Sequence, residues 1–250
     1  MSGHSKWANI KHKKEATDKK KGKVFSRMAK EIMIAAKQGG GDASSNPRLR
    51  SALAAARAQN MPNANIDRAV KKGIGELGDV MYEEIVYEAY APGGVGIIIE
   101  CLTDNRNRTA GEVRMTLDRN GGNLASSGAV GRLFRRRAHF VISGDNADED
   151  KLMELVLDAG AEDLQVENGI AEVWGAPDAF EAIAAALEKA GITSEEAGVI
   201  RHADLMVELK TVDEAHKVLR LVDKLEDLED VQAVHANFEI ADEIADQVEA

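Results

Sequence analysis

Along GKVFSRMAKEIMIAAKQGGG the apolar positions fall at Val24, Phe25, Met28, Ile32 and Ala36, the spacing of an amphipathic helix, and Gly39 to Gly41 stop it. SNPRLRSALAAARAQNMP repeats the pattern with Leu49, Leu53 and Ala56. Asn46 is placed to cap that helix, Pro47 takes the first helical position, where its missing N–H costs nothing, and Met61-Pro62 ends it. NANIDRAVKKGIG predicts a third, short helix with Ile66, Ala69 and Val70 inward, Lys71 and Lys72 in its last turn and Gly73 as its stop. The stretch before Lys23 offers only Trp7 and Ile10 for burial and is expected to be a frayed or extended arm.

The pattern changes near Glu76 to Met81. EEIVYEAYAPGGVGIIIECLTD alternates and then runs apolar, as two strands joined at Pro92-Gly93-Gly94 would. NRTAGEVRMTLDRNGG reads as a helix with a Thr109–Glu112 capping box and Gly121 at its end, and HFVIS as a strand. From Asp148 helix and strand alternate. Leu152, Leu155 and Val156 share one helix face, the strands DLQVEN and IAEVWG follow, and PDAFEAIAAALEKAGI turns Phe180, Ile183, Ala184 and Leu187 inward. LMVEL, the amphipathic VDEAHKVLRLVDKLEDL and VQAVHANFEI close the chain as strand, helix and strand. The β-α-β-β-α-β rhythm predicts a ferredoxin-like sandwich.

Composition adds two constraints. Aromatic residues make up 4% of the 250, so the core must be built from Ala, Val, Ile and Leu. Cys101 is the single cysteine, which excludes an internal disulfide and a multi-cysteine zinc site. No apolar run reaches the roughly 20 residues of a membrane helix, and the lysine-rich start lacks the apolar stretch of a signal peptide. The expectation is a cytoplasmic protein with no membrane partner.

Charge changes the picture most. The formal net charge is −11, yet residues 1–75 hold 17 Lys+Arg against 5 Asp+Glu, a net +12, while residues 76–250 hold 15 against 38, a net −23. Such a split points to a polyanion, DNA or ribosomal RNA, gripped by the basic end. The acidic remainder confines contact to that end and is expected to recruit a ribosome or protein partner.

The candidate nucleic-acid residues are a comb of Lys6, Lys11, Lys13, Lys14, Lys19, Lys20, Lys21 and Lys23, joined by Arg27 and Lys30. Ammonium groups are compact charges suited to phosphates without base readout. Two roles are open to Trp7 within the comb: stacking on a base, or anchoring the arm to the helices. Arg48, Arg50 and Arg57 either extend the basic face or are routine surface charge. Arg106 and Arg108 stand where a strand enters a helix N-terminus, which holds an anion or is simply well capped. Arg135, Arg136 and Arg137 form a second basic cluster in the acidic half. GGNLASSGAVGRLF is glycine-rich but lacks the Gly-Lys-Ser/Thr ending of a phosphate-cradling loop. The six histidines show no metal-binding spacing, and nucleophile, base and oxyanion donor are nowhere assembled. No catalytic residue, metal or cofactor is expected, and the protein is read as a non-enzyme.

MSGHSKWANIKHKK, KGKVFSRMAKEI, NPRLRSALAAAR, NMPNANIDRAVKKG, YEAYAPGGVGIIIECLTDNRNRTAGEVR and DLEDVQAVHANFEI together resemble the YebC family, and the resemblance covers essentially the whole chain. It implies an α+β multidomain fold. A small helical bundle over 1–78 is followed by an α/β domain over 79–136 plus 206–250, interrupted by an inserted ferredoxin-like sandwich over 137–205. LMVEL and the last helix and strand then pair back with YEAYA and GIIIE instead of HFVIS. Bacterial members are described as probable transcriptional regulators, which implies DNA binding through the first domain. A mitochondrial relative activates translation of a cytochrome oxidase subunit. The family is also linked to ribosomes stalled at proline-rich stretches, which implies the alternative of a ribosome-bound translation factor.

Overall fold

The computed structural model describes residues 18–78, 81–167 and 169–249. Three helices open it: α1 Asp18–Gly39, α2 Pro47–Ala58 and α3 Asn63–Gly73. Ile32, Ala36, Leu49, Leu53, Ala56 and Ile66 form the centre of their shared core. Helix α1 already begins at Asp18, so the stretch expected as an arm is helical over its last residues. Lysine is a good helix former, and an acid in the first turn suits the dipole.

Asn46 is buried and does more than cap. Its Oδ1 accepts from the Leu49 N–H at 3.0 Å, while its Nδ2 donates to the carbonyls of Ala35 at 2.8 Å and Gly40 at 2.9 Å. One side chain starts α2 and finishes α1. Asn46→Ala is expected to destabilise the protein by about 2–3 kcal/mol in urea unfolding, from a lost cap and two unmet carbonyls. Gly73 lies inside α3 instead of stopping it. A β-carbon there would sit 2.5 Å from the Met33 carbonyl oxygen, so this glycine lets α3 close onto α1.

The rest runs β1 Glu83–Tyr90, β2 Gly96–Thr103, α4 Arg106–Arg119, β3 Asn123–Leu124, β4 Phe134–Ser143, α5 Glu149–Asp158, β5 Ala161–Glu167, β6 Ile170–Gly175, α6 Phe180–Lys189, β7 Glu196–Ala203, β8 Val207–Leu209, α7 Val212–Glu226, β9 Val231–Ala236, β10 Phe238–Ile240 and α8 Asp242–Glu249. Strands β3-β1-β2-β9 make one antiparallel sheet. Ile97 and Ile99 of β2 pack on its helical side with Val113 and Leu117 of α4 and with Val218 and Val222 of α7. Strands β5-β6-β4-β7 make the second sheet, all antiparallel, with Phe140 of β4 stacked on Phe180 of α6 at 4.9 Å between centroids. This is the ferredoxin-like sandwich, carried between β3 and β8 of the α/β layer. A small cluster of Ile98, Val130, Phe134 and Ala203 joins the two sheets where the chain crosses between them.

Four expectations need correction. The fourth strand of the sandwich is β7, EAGVIRHA, which Gly198 and the pair Arg201-His202 disguised by breaking the apolar alternation. Phe134 to Arg136 belong to β4 and pair with Arg201 to Ala203, so the first sandwich strand begins at 134, ahead of 137. LMVEL joins neither β1 nor β2: its core, β8, pairs in parallel with β10. VQAVHANFEI is two strands, because Asn237 turns its amide inward, donating to the Leu205 carbonyl at 3.0 Å and accepting from the Gly96 N–H at 2.6 Å. Among the described residues no helix is long and apolar enough to cross a membrane.

Candidate nucleic-acid interface

Helix α1 turns one stripe of cations inward. Lys23, Arg27 and Lys30 fall at i, i+4 and i+7, hence on one face, and that face meets the acidic turn Glu226–Asp230 after α7. Lys23 Nζ donates to the Asp227 carbonyl at 2.9 Å and to its Oδ1 at 3.1 Å. The Arg27 guanidinium donates to the Glu226 carbonyl. Lys30 Nζ donates to the Glu229 carbonyl at 3.0 Å and to Asp230 Oδ1 at 2.9 Å, 5.7 Å from the centre of the Tyr82 ring. Lys30 is 6% exposed, so its expected place among phosphate contacts is corrected: it is a buried ion-pair partner. Arg27 is half-buried and Lys23 remains exposed.

Asp230 is the centre of this contact and was missed in the sequence. Its carboxylate also accepts from Thr103 Oγ1 at 3.0 Å, Thr109 Oγ1 at 2.8 Å and the Arg108 guanidinium at 2.7 Å, and its carbonyl accepts from the Leu102 N–H. Burial alone would raise this carboxyl, but the hydrogen bonds from Arg108, Lys30 and Thr109 outweigh it and hold it at about 2. The one available signal was the acidic run EDLED at 226–230, a complement to the lysines in the same chain.

Of the two readings open at the start of α4, the anion site is filled from within and the capped helix start holds. Asn105, and not a Thr109–Glu112 box, caps the helix by accepting from the Arg108 N–H at 3.1 Å, and Arg108 pairs with Asp104 and Asp230. Arg106 stays exposed, 4.0 Å from Glu83. The glycine-rich 128–131 turn is filled likewise. The Glu88 carboxylate accepts from the N–H groups of Gly128, Val130 and Gly131 at 2.6, 2.6 and 2.8 Å. These amides would otherwise be the cradle for a phosphate.

The remaining cations divide. Arg48 forks onto Glu31 at 2.7 and 3.0 Å and reaches Gln38 and Glu84, and so ties the helices to β1. Arg50 donates to the Ala43 carbonyl at 2.9 Å and lies 3.6 Å from Glu181 of the sandwich. Arg57, Arg68, Lys71 and Lys72 are exposed on α2 and α3, with no ion pair among the described residues. Lys19, Lys20 and Lys21 lie in the first turn of α1, while Lys6, Trp7, Lys11, Lys13 and Lys14 lie outside the described residues.

Arg135, Arg136 and Arg137 do not form one patch, because neighbours on a strand point to opposite faces. Arg135 pairs with Asp204, and Arg137 pairs with Glu162 at 3.0 Å beneath the Trp174 ring at 5.5 Å. Arg136 is exposed, in register with Arg201.

A second, half-buried tie holds the sandwich. Glu100 of β2 accepts from Arg201 of β7 at 2.7 Å and stands 3.6 Å from His235 of β9. The neighbouring His235 ring lowers the Glu100 carboxyl, burial opposes it, and Arg201 adds to the lowering, for a value of about 2 against the usual 4.5. A depressed carboxyl contributes stability that is complete above its unfolded value and lost as pH falls towards the folded one. The melting temperature is therefore expected to drop between about pH 4.5 and pH 2, and less steeply in Glu100→Gln. Cys101 beside it is buried, and burial first, then Asp230 and Glu100, push its thiol up to about 12. It is a small core residue and a poor nucleophile. Among the described residues no group of His, Cys, Asp and Glu is arranged to hold a metal.

Two family profiles match the chain. One, described as the TACO1/YebC protein N-terminal domain, covers residues 5–76, and the other, the TACO1/YebC second and third domain, covers residues 82–238. A probable transcriptional regulatory protein of Geobacter sulfurreducens is 51% identical over 243 residues, 97% of this chain and 98% of that one. One from Desulforapulum autotrophicum is 49% identical over 246 residues, 98% and 99% of the two chains. The crystal structure of a conserved hypothetical protein, Aq1575 from Aquifex aeolicus, superposes with a TM-score of 0.87 at 42% identity and covers 95% of this chain and 98% of that one. With both profiles matched in order and relatives aligned end to end, the chain belongs to the TACO1/YebC family.

Proposed function

We propose that this protein is a cytoplasmic, non-enzymatic regulator of gene expression that binds DNA through its N-terminal helical unit. The observation that carries the reading is the segregation of charge: +12 over residues 1–75 against −23 over the remainder. Intramolecular pairing with Glu226–Asp230 uses Lys23, Arg27 and Lys30, yet Arg57, Arg68, Lys71 and Lys72 still face outward. The names of its relatives as probable transcriptional regulatory proteins support the same reading. Phosphate contacts by lysine supply affinity and carry no base information.

That last point favours a second reading. The same lysines fit the backbone of ribosomal RNA, which makes the protein a ribosome-bound translation factor whose acidic domains meet the ribosome or a protein partner. Binding to duplex DNA and to purified ribosomes, titrated side by side against salt, decides between them. A DNA site held well above the non-specific level at physiological salt supports the promoter binder. Ribosome binding alongside only weak, steeply salt-dependent DNA binding selects the translation factor. Failure to bind either at low salt overturns both.

A further inference from the structure

At the end of α4 remote from Asp230, an open pocket of about 430 Å³ is lined by Pro92, Arg119, Asn120, Gly121, Lys217 and Arg220. It gathers three cations on a body whose net charge is −23. Arg119 ends α4, and Lys217 and Arg220 lie at i and i+3 on α7, so they share a helix face. Lys217 is neutralised by Asp213 at 2.6 Å. Arg119 and Arg220 are exposed and carry no ion pair among the described residues.

The bland explanation covers two of the three. A cation in the last turn of α4 suits the helix dipole, which accounts for Arg119 by itself, and the i, i+4 pair with Asp213 accounts for Lys217. Neither accounts for α7 bringing Arg220 to the pocket that Arg119 lines, where like charges repel unless an anion lies between them. Gly121 takes a φ of +79°, the left-handed turn that ends α4 beside Pro92. Asn120 turns its Nδ2 onto the Thr116 carbonyl at 2.7 Å, so the end of the helix presents one carbonyl fewer to an incoming anion.

We propose that this pocket is a second anion site that takes a phosphate-bearing ligand between the guanidinium groups of Arg119 and Arg220. Two guanidinium forks together call for more oxygens than the two of a lone carboxylate, and a phosphate group supplies them. The pocket lies about 16 Å along α4 from Arg108, apart from the basic N-terminal unit. The inference does not depend on nucleic-acid binding by that unit.

The test uses the full chain, with inorganic pyrophosphate as the probe and amide chemical shifts as the readout. The expected result is saturable shifts at Arg119 to Gly122 and along Lys217 to Arg220, lost or weakened at least tenfold in Arg119→Ala/Arg220→Ala. Both side chains are exposed, and an unchanged amide spectrum elsewhere shows that the variant is folded. Arg119→Lys/Arg220→Lys is expected to keep part of the binding. Pyrophosphate that leaves these amides unmoved, or that binds the alanine variant as well as the parent, overturns the site. A second arm names the source of the phosphate. If it is a nucleic-acid backbone, the alanine variant also weakens oligonucleotide binding and lowers its salt slope by about 2. If oligonucleotide binding is unchanged while pyrophosphate binding is lost, the ligand is a small phosphate compound.

Discussion

Replacing Asp230 by alanine is expected to destabilise the protein by about 3–5 kcal/mol, the cost of leaving a buried charge without its partner. Lys30 is 6% exposed and Asp230 1%. Removing the carboxylate strands the Lys30 ammonium and takes the acceptor from Thr103 and Thr109 at once. Arg108 is affected less, since it keeps Asp104 and is exposed. Urea unfolding by circular dichroism measures the loss. A cycle with Lys30→Met identifies its source: the double variant is expected to recover much of the stability, because an apolar pair replaces an orphaned charge. If Asp230→Ala and Lys30→Met simply added, the pair would not be the coupling between helices and sheet that the distances indicate.

The same pair shows what a sequence reading reaches and where it stops. The three helices, the β1–β2 hairpin and the faces of α5, α6 and α7 were legible because each is written in local periodicity. Ile66, Ala69, Ile183 and Leu187 are buried as their spacing predicts. The cap at Asn46 was legible for the same reason, but not its hold on the end of α1, which comes from a chain reversal. What failed was non-local. The β7 strand carries a glycine and three polar residues because it lies at an edge of the sandwich, so it lacks the alternation that marks a strand. The parallel pairing of β8 with β10 needs α7 between them, and no local signal announces it.

The candidate site divides along the same line. The sign of the N-terminal charge was readable from composition, and so was the inertness of Cys101 in an apolar strand. Which cations face outward was not. Lys30 and Arg57 are both basic residues on amphipathic helices. One is buried against an aspartate 200 positions away and the other is exposed. Arg108 stood open between an anion site and a well-capped helix start, the glycine-rich loop lacked a phosphate-cradling ending, and the chain's own carboxylates occupy both places. An acidic protein with a basic end meets its own carboxylates first, and the cations left over are the ones a polyanion can reach.

The lysines ahead of that buried pair set the size of the last expected effect. Changing Lys13, Lys14, Lys19, Lys20 and Lys21 together to glutamate is expected to weaken nucleic-acid binding by more than a hundredfold at low salt. Each phosphate contact releases counterions, so losing about five of them also lowers the slope of log K against log salt by roughly 4. The reversal should leave stability nearly unchanged, because the buried tie runs through Lys30 and Asp230 and neither is altered. That separation makes the result decisive: a variant that melts with the parent but no longer binds locates the affinity in the comb. A variant that melts with the parent and binds as before moves the interface to Arg57, Arg68, Lys71 and Lys72, whose reversal would then be the next measurement. Asp230→Ala offers the opposite dissociation. It loosens the helical unit from the acidic turn Glu226–Asp230 that now competes for Lys23 and Arg27, so under conditions where it remains folded it should bind nucleic acid at least as tightly as the parent.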